Sequence, residues 1–169
     1  MKKIRLYKLL FTFSLISLAF SINEINVNVV EQNKDYVIIQ YTVNNFEINE
    51  ISYNNEVYHD VSLSDEPDFL IQGAPELPHV NRSLIIPELL SSEFEILNTE
   101  FQTYKNINIL PSKGNITRNF DINSIDYVKG LIYNINSDFP GNLVELKDPY
   151  ILRDFRGQVV QVNPLQYNP

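Results

Sequence analysis

The sequence predicts an all-β fold, an antiparallel β-sandwich with at most a short helical turn. Runs of four to eight residues rich in Ile, Val, Tyr and Phe recur along the 169-residue chain, and these residues suit a pleated, half-buried surface. Polar turns rich in Asn separate many of these runs at short spacing. No apolar stripe with a period of 3.6 residues persists beyond about two turns, so helix is predicted to be a minor component.

The first predicted strands form a meander. The run INVNVV alternates apolar and polar residues, and the run YVIIQYTV follows after the polar stretch EQNKD. Such alternation between short turns is typical of strands joined as hairpins. The four predicted strands of this part are residues 25–30, 36–43, 46–53 and 56–63.

A proline-rich crossing interrupts the meander. The stretch SDEPDFLIQGAPELPHV, residues 64–80, contains three prolines and one glycine and is therefore predicted to be a long irregular connection. Residues 119–130 are predicted to be irregular, with a short helical turn. In the stretch RDFRGQ, Arg153 and Arg156 are predicted to flank a glycine turn at the mouth of a hairpin. The remaining predicted strands are residues 82–87, 94–101, 107–110, 142–146, 150–155 and 158–162.

The first 21 residues have the pattern of a secretory signal peptide. Four basic residues precede a continuous apolar run of twelve residues, 9–20, which is short for a membrane span. An uncleaved membrane anchor is the alternative interpretation. Cleavage would leave a domain of residues 22–169, exported to the periplasm, the cell surface or the extracellular space, with no stable membrane span.

Charge and cysteine content exclude several functions. The leader holds four of the thirteen Lys and Arg and none of the twenty-one Asp and Glu, so residues 22–169 carry a net charge of −12. An acidic domain of this kind is not expected to bind nucleic acid, which requires a basic surface. Because the chain has no cysteine, it has no thiol nucleophile and no disulfide, and core packing alone must stabilise it.

No pattern of catalytic or metal-ligating residues is present, and we expect neither enzymatic activity nor a cofactor. His59 and His79 are the only histidines, and neither has metal-ligand spacing. The stretch SDEPD, residues 64–68, is interpreted as a solvated acidic loop, because its proline does not fit a calcium loop. Sequons at Asn81 and Asn115 are expected by chance in a chain this rich in Asn.

Three segments, in order, carry a resemblance to a known family. They are GAPELPHVNRSLIIP, LPSKGNITR and FPGNLVELKDPYILRDFRGQVVQVNPLQYNP. Together they resemble the N-terminal propeptide of gingipain-type (C25) cysteine peptidases. The resemblance implies a β-sandwich that helps the protease domain to fold and keeps it latent by covering its cleft. It also implies that the partner is a C25 catalytic domain, that no catalytic residue lies in this chain, and that the last strands of the family fold are missing.

The resemblance also implies an inhibitory loop within SKGNITR, residues 112–118. Arg118 is expected to enter the acidic specificity pocket of a protease selective for basic side chains, where an arginine can form a bidentate contact with a carboxylate. Lys113 is the second candidate, and Gly114 is expected to shape the tip of the loop. On residue type alone, Arg118 is equally well a solvated loop cation.

Two alternative functions stay open from the sequence. The first is a secreted adhesion or carbohydrate-binding module, in which exposed tyrosines such as Tyr53, Tyr58 and Tyr104 would stack on sugars. The second is a non-functional precursor remnant.

Overall fold

A computed structural model describes residues 24–87 and 92–169; the predicted signal peptide, residues 1–21, lies outside the described residues. The described residues contain eight strands and two short 3₁₀ helices, at Ile122–Ser124 and Leu131–Asn134. All strand pairs are antiparallel, so the predicted all-β fold class is confirmed. The strands are β1 (Ile25–Gln32), β2 (Val37–Val43), β3 (Glu47–Tyr53), β4 (Glu56–Ser62), β5 (Val80–Ile85), β6 (Val144–Leu146), β7 (Tyr150–Leu152) and β8 (Phe155–Val162).

The strands form three sheets. Strands β1 and β2 make one hairpin, and β3 and β4 make a second hairpin. The turn between β3 and β4 uses Asn54 and Asn55, both at positive φ (49° and 65°), which is the backbone that a tight two-residue hairpin turn requires. In the third sheet, β8 is the central strand. Strand β5 pairs with one of its edges, and β6 and β7 pair with different parts of its other edge.

Two predicted strands are wrong. Residues 94–101 have strand-forming composition but no regular secondary structure, and they pair with no strand of the described residues. Residues 107–110 run beside β4 but form only one isolated parallel bridge, between Ile109 and His59. Asn106, at a φ of 61°, precedes this segment. On its other side the Leu110 carbonyl accepts from the Glu76 amide and the Ser112 amide donates to the Ala74 carbonyl, so the proline-rich crossing uses the groups that would continue the pairing with β4.

The predicted glycine turn in the stretch RDFRGQ is also misplaced. Strand β7 ends at Leu152, and the chain turns at Arg153 and Asp154, with Arg153 at a φ of 55°. Gly157 lies inside β8, opposite Tyr150. A Cβ atom at Gly157 would lie 2.5 Å from Cζ of the Tyr150 ring, so this glycine lets the ring lie close against β8 and does not form a turn.

The hydrophobic core lies where β4 meets the proline-rich crossing. Val61, Leu77 and Ile109 form its buried centre. The chain near Tyr167 closes over this centre, because Phe139 and Tyr167 exchange two backbone hydrogen bonds of 2.9 Å. The partly buried side chains around the centre are those of Phe46, Phe69, Ile107, Phe139, Leu165 and Tyr167.

Candidate functional site

The loop that begins at Ser112 has a rigid base. Ser112 is buried, and its backbone pairs with the proline-rich crossing on both sides. The amide of Gly73 donates to the Ser112 carbonyl and the amide of Ser112 donates to the Ala74 carbonyl, each over 2.8 Å. The loop therefore starts from a fixed point on the core rather than from a free connection.

Gly114 bends the chain at this base and not at the tip, contrary to the expectation from the sequence. Its φ is 84°, in the left-handed region that favours glycine, and its amide donates to the Ser112 hydroxyl over 3.2 Å. A Cβ atom here would lie 3.0 Å from Cβ of Gln72. The exposed turn follows three residues later, where the amide of Phe120 donates to the Thr117 carbonyl over 3.1 Å.

Lys113 is engaged within the domain. Its ammonium group donates to the Ile122 carbonyl over 2.8 Å and lies 4.1 Å from the centroid of the Tyr127 ring. Both contacts hold the side chain against the next segment of the chain, and a cation over an aromatic face is attracted to it. Lys113 would have to give up these contacts to reach another protein.

Arg118 lies in the exposed turn. Within residues 24–87 and 92–169, its guanidinium forms no hydrogen bond or ion pair. All five N–H donors of the side chain are thus available to a partner. The structure brings Lys113 and Gly114 together at the base of the loop and places Arg118 apart from them, facing solvent.

Apolar side chains surround the base of the loop, and the sequence reasoning missed them. Leu70, Ile71, Phe120 and Ile122 are all more than half exposed. A shallow cleft of about 260 Å³ lies among Leu70, Glu76, Lys113, Gly114, Asn115, Ile116, Ile122 and Tyr127. We call the four exposed residues the apolar rim; two of them, Leu70 and Ile122, line the cleft, and exposed apolar surface beside a cleft is a candidate for an interaction surface. The signal in the sequence was weak, because these residues lie in irregular segments without periodicity.

Glu76 lies in the cleft beside Lys113. Burial, followed by repulsion from the carboxylates of Asp68 and Asp60, raises its pKa to about 7, against the opposing effect of Lys113. The backbone of Glu76 belongs to the base of the loop, because its amide donates to the Leu110 carbonyl over 2.8 Å. The protonation of this side chain therefore changes near neutral pH at the base of the loop.

We expect Glu76→Gln to stabilise the domain at pH 8 and to have little effect at pH 5. Because the folded pKa of about 7 lies above the ordinary value of 4.5, the stability that the neutral carboxyl contributes is complete below pH 4.5 and is lost as the pH rises through 7. The side chain is only partly buried, so solvent screening reduces the effect to about 1 kcal/mol. Thermal melts at pH 5, 6, 7 and 8 measure it.

The exposed Glu100→Gln is the matched control and should leave the pH profile of the melting temperature unchanged. Some slope should persist in Glu76→Gln, because burial also raises the pKa of Asp68. Parallel profiles for Glu76→Gln and the wild-type chain would contradict the prediction.

The other polar residues that the sequence singled out have structural roles. His59 Nδ1 accepts from the amide of Asn108 over 3.1 Å. His79 packs on the Phe69 ring at 4.6 Å between centroids, and burial lowers its pKa. In the described part of the chain, no group of three or more His, Asp or Glu side chains could hold a metal ion.

The stretch SDEPD is not the fully solvated acidic loop that was predicted. The Glu66 side chain is largely buried, and its two carboxylate oxygens accept from the Arg82 guanidinium over 2.6 and 3.3 Å. Asp68 is also partly buried. This pairing joins the start of the proline-rich crossing to β5.

The tyrosines considered for sugar binding do not form an exposed platform. Tyr58 is buried, with the Lys129 ammonium 4.8 Å from its ring centroid. Tyr53 packs edge-on against Tyr127, and its hydroxyl donates to Asp126 over 2.5 Å. Tyr104 is exposed but contacts only Phe46 among the aromatic rings of the described residues.

Among the residues that the structure describes, no helix has the length and apolar character needed to cross a membrane.

Comparisons with known proteins identify relatives of this domain. The family model described as Propeptide_C25 matches residues 21–169. Gingipain R1 of Porphyromonas gingivalis is 37% identical over 145 residues, which cover 85% of this chain and 15% of that protein. Gingipain R2 of Porphyromonas gingivalis W83 is 37% identical over 131 residues, or 78% of this chain and 18% of that protein. The chain thus spans less than one fifth of the length of these relatives.

Two solved structures share the fold. A complex of the pro- and mature domains of Porphyromonas gingivalis RgpB aligns with a TM-score of 0.80 at 34% identity, over 85% of this chain and 75% of that chain. A structure that concerns the zymogenic latency of gingipain K aligns with a TM-score of 0.61 at 17% identity, over 73% of this chain and 71% of that chain. At the second identity the likeness concerns the fold alone.

Proposed function

Because the chain belongs to the C25 propeptide family, we propose that it keeps an exported C25 cysteine peptidase latent by covering its cleft and assists the folding of that protease. The chain is a propeptide domain and not a catalytic domain, and it has no cysteine to serve as a nucleophile. The proposed partner is the C25 catalytic domain of the precursor. Export would depend on the signal peptide predicted at residues 1–21.

The observation that carries the proposal is the placement of Arg118. It lies in an exposed turn, without a partner among the described residues, on a loop whose base is fixed at Ser112. The fixed base limits the backbone freedom that the loop loses on binding, and the free guanidinium can form a bidentate contact with a carboxylate, which is strong once water is excluded. The domain's net negative charge matters little to this contact, since a desolvated pair is screened less than surface charges are.

The apolar rim supports an orientation of the domain in which the loop at residues 112–118 faces the protease. Leu70, Ile71 and Phe120 are exposed around the loop, and burying them against the protease would exclude water from the contact made by Arg118. In this proposal Lys113 and Gly114 shape and hold the base of the loop, and Arg118 alone enters the pocket. The loop would be held like a substrate that is bound but inefficiently cleaved.

The test is inhibition of a mature C25 protease by the chain consisting of residues 22–169. We expect a dissociation constant in the roughly nanomolar range, as is common for interfaces of standard size with a central buried anchor. A papain-type cysteine protease is the specificity control and should not be inhibited. Refolding yields of the denatured C25 protease, with and without the chain, test the folding role. No inhibition and no gain in refolding would contradict the proposal.

A further inference from the structure

Residues 112–130 form one closed loop whose two ends meet at Gly73. At the start of the loop, the amide of Gly73 donates to the Ser112 carbonyl over 2.8 Å. At its end, the amide of Gly130 donates to the Gly73 carbonyl, also over 2.8 Å. Arg118 lies between these two fixed points, so its position depends on how the chain is held between them.

The contact that closes the loop depends on two glycines. Gly73 has a φ of 75°, in the left-handed region that favours glycine. A Cβ atom on Gly73 would lie 3.1 Å from the backbone nitrogen of Gly130, and a Cβ atom on Gly130 would lie 2.9 Å from the Gly73 carbonyl oxygen. Side chains at these positions would push the two backbones apart, so the absence of both side chains lets the loop close.

Inside the closed loop, Lys113 connects the two halves that flank Arg118. The lysine belongs to the half before Arg118, and both groups that its ammonium contacts, the Ile122 carbonyl and the Tyr127 ring, belong to the half after it. A hydrogen bond from a charged donor is stronger than a neutral one, and the attraction of the cation to the aromatic face adds to it. These contacts hold the two halves together below the turn that carries Arg118.

The second half of the closed loop is itself held on the β3–β4 hairpin. The Tyr127 ring packs edge-on against the Tyr53 ring, with centroids 5.2 Å apart. The Lys129 ammonium pairs with the Glu56 carboxylate over 2.7 Å. Lys113 therefore binds a part of the loop whose position the rest of the domain fixes.

We propose that Lys113 is a positioning residue of the inhibitor, which acts through Arg118 by keeping the closed loop in the conformation that the protease cleft receives. This inference rests on the proposed function. Without the two contacts of the ammonium group, more conformations are open to the chain between Ser112 and Ile122, and only a fraction of them presents Arg118 correctly. The apparent dissociation constant rises in inverse proportion to that fraction.

The test is a double-mutant cycle of Lys113→Met and Arg118→Ala. Inhibition constants of the chain of residues 22–169 are measured against a C25 protease selective for basic side chains. Methionine keeps an unbranched apolar side chain but removes the ammonium group, so Lys113→Met alone should weaken inhibition roughly tenfold, the effect of a competent fraction reduced to about one tenth. In the Arg118→Ala background the same substitution should change inhibition by less than about twofold, because no guanidinium is left to position.

Two further variants isolate the contacts of the ammonium group. Lys113→Arg keeps a cation that can donate to the Ile122 carbonyl and stack on the Tyr127 ring, and it should inhibit within about threefold of the wild-type chain. Lys105→Met makes the same chemical change at an exposed lysine outside the closed loop and should leave inhibition unchanged. All constants are measured at pH 6, below the pKa of about 7 of Glu76, so that removing the lysine does not leave a charged carboxylate beside it.

Amide hydrogen exchange of the free chain gives a readout that does not involve the protease. The amides of Phe120 and Ser124 donate within the closed loop, to the carbonyls of Thr117 and Asp121, and should exchange faster in Lys113→Met. The amide of Gly130, which closes the loop on Gly73, should exchange as slowly as in the wild-type chain.

The outcomes separate this inference from the proposed function. If Arg118→Ala weakens inhibition and Lys113→Met does not, the positioning role is overturned and the latency role stands. If Lys113→Met weakens inhibition equally with and without Arg118, Lys113 contacts the protease directly, which also overturns the inference. Failure of the wild-type chain to inhibit any C25 protease would overturn the proposed function and this inference with it.

Discussion

Replacing Arg118 with Ala should weaken inhibition of a C25 protease selective for basic side chains by about 100-fold or more. The guanidinium is the anchor of the proposed contact, and its removal leaves the acidic group of the specificity pocket buried without a partner. Because Arg118 is exposed and has no partner among the described residues, the substitution should leave the melting temperature unchanged. Inhibition constants for the two chains against the same protease measure the effect.

Two further variants make this test specific. Arg153→Ala removes an arginine that is also exposed in a turn, between β7 and β8, and should inhibit as well as the wild-type chain. Arg118→Lys should be intermediate, weaker by about tenfold, because an ammonium group cannot form the bidentate contact. Equal inhibition by Arg118→Ala and the wild-type chain would show that the domain covers the cleft without inserting this side chain.

Replacing Leu77 with Ala should destabilise the domain by about 3 kcal/mol. Leu77 is 2% exposed and lies at the centre of the core with Val61 and Ile109, so the substitution leaves a cavity where the proline-rich crossing meets β4. For a domain of this size the melting temperature should fall by roughly 6–12 °C. Thermal unfolding of both chains at one pH measures the change.

Leu131→Ala is the matched control, since it makes the same chemical change at a residue that is 81% exposed. It should change the free energy of unfolding by no more than about 0.5 kcal/mol. Equal losses in the two variants would mean that Leu77 does not occupy the centre of the core. The same crossing holds the base of the inhibitory loop through Gly73 and Ala74, so weaker inhibition by Leu77→Ala would follow from the loss of stability.

The hairpins could be predicted from the sequence because their determinants are local. The β3–β4 hairpin follows from alternating runs on either side of Asn54 and Asn55, a pair that readily adopts positive φ. Residues 94–101 have an equally good strand composition but form no strand, because a strand exists only when another strand pairs with it. No property of the segment itself could reveal that none of the described strands pairs with it.

The candidate site also combines residues that could be predicted from the sequence with contacts that depend on the folded structure. The resemblance to the family singled out Arg118, Lys113 and Gly114, but it could not indicate which of them contact other parts of the domain. The engagement of Lys113 with Ile122 and Tyr127, and the solvent-facing position of Arg118, depend on how segments distant in the sequence pack together. The pKa of Glu76 near 7 likewise requires its burial close to Asp68 and Asp60, which sequence spacing does not encode.

The sequence by itself determined the fold class, the acidic and cysteine-free character of the domain, and the family to which it belongs, because composition, alternation and motif order are properties of the linear chain. The tertiary structure decided which strand-like segments pair, which cations are free to meet a partner and which carboxyl titrates near neutral pH. Pairing, exposure and desolvation all depend on neighbours that only folding brings together.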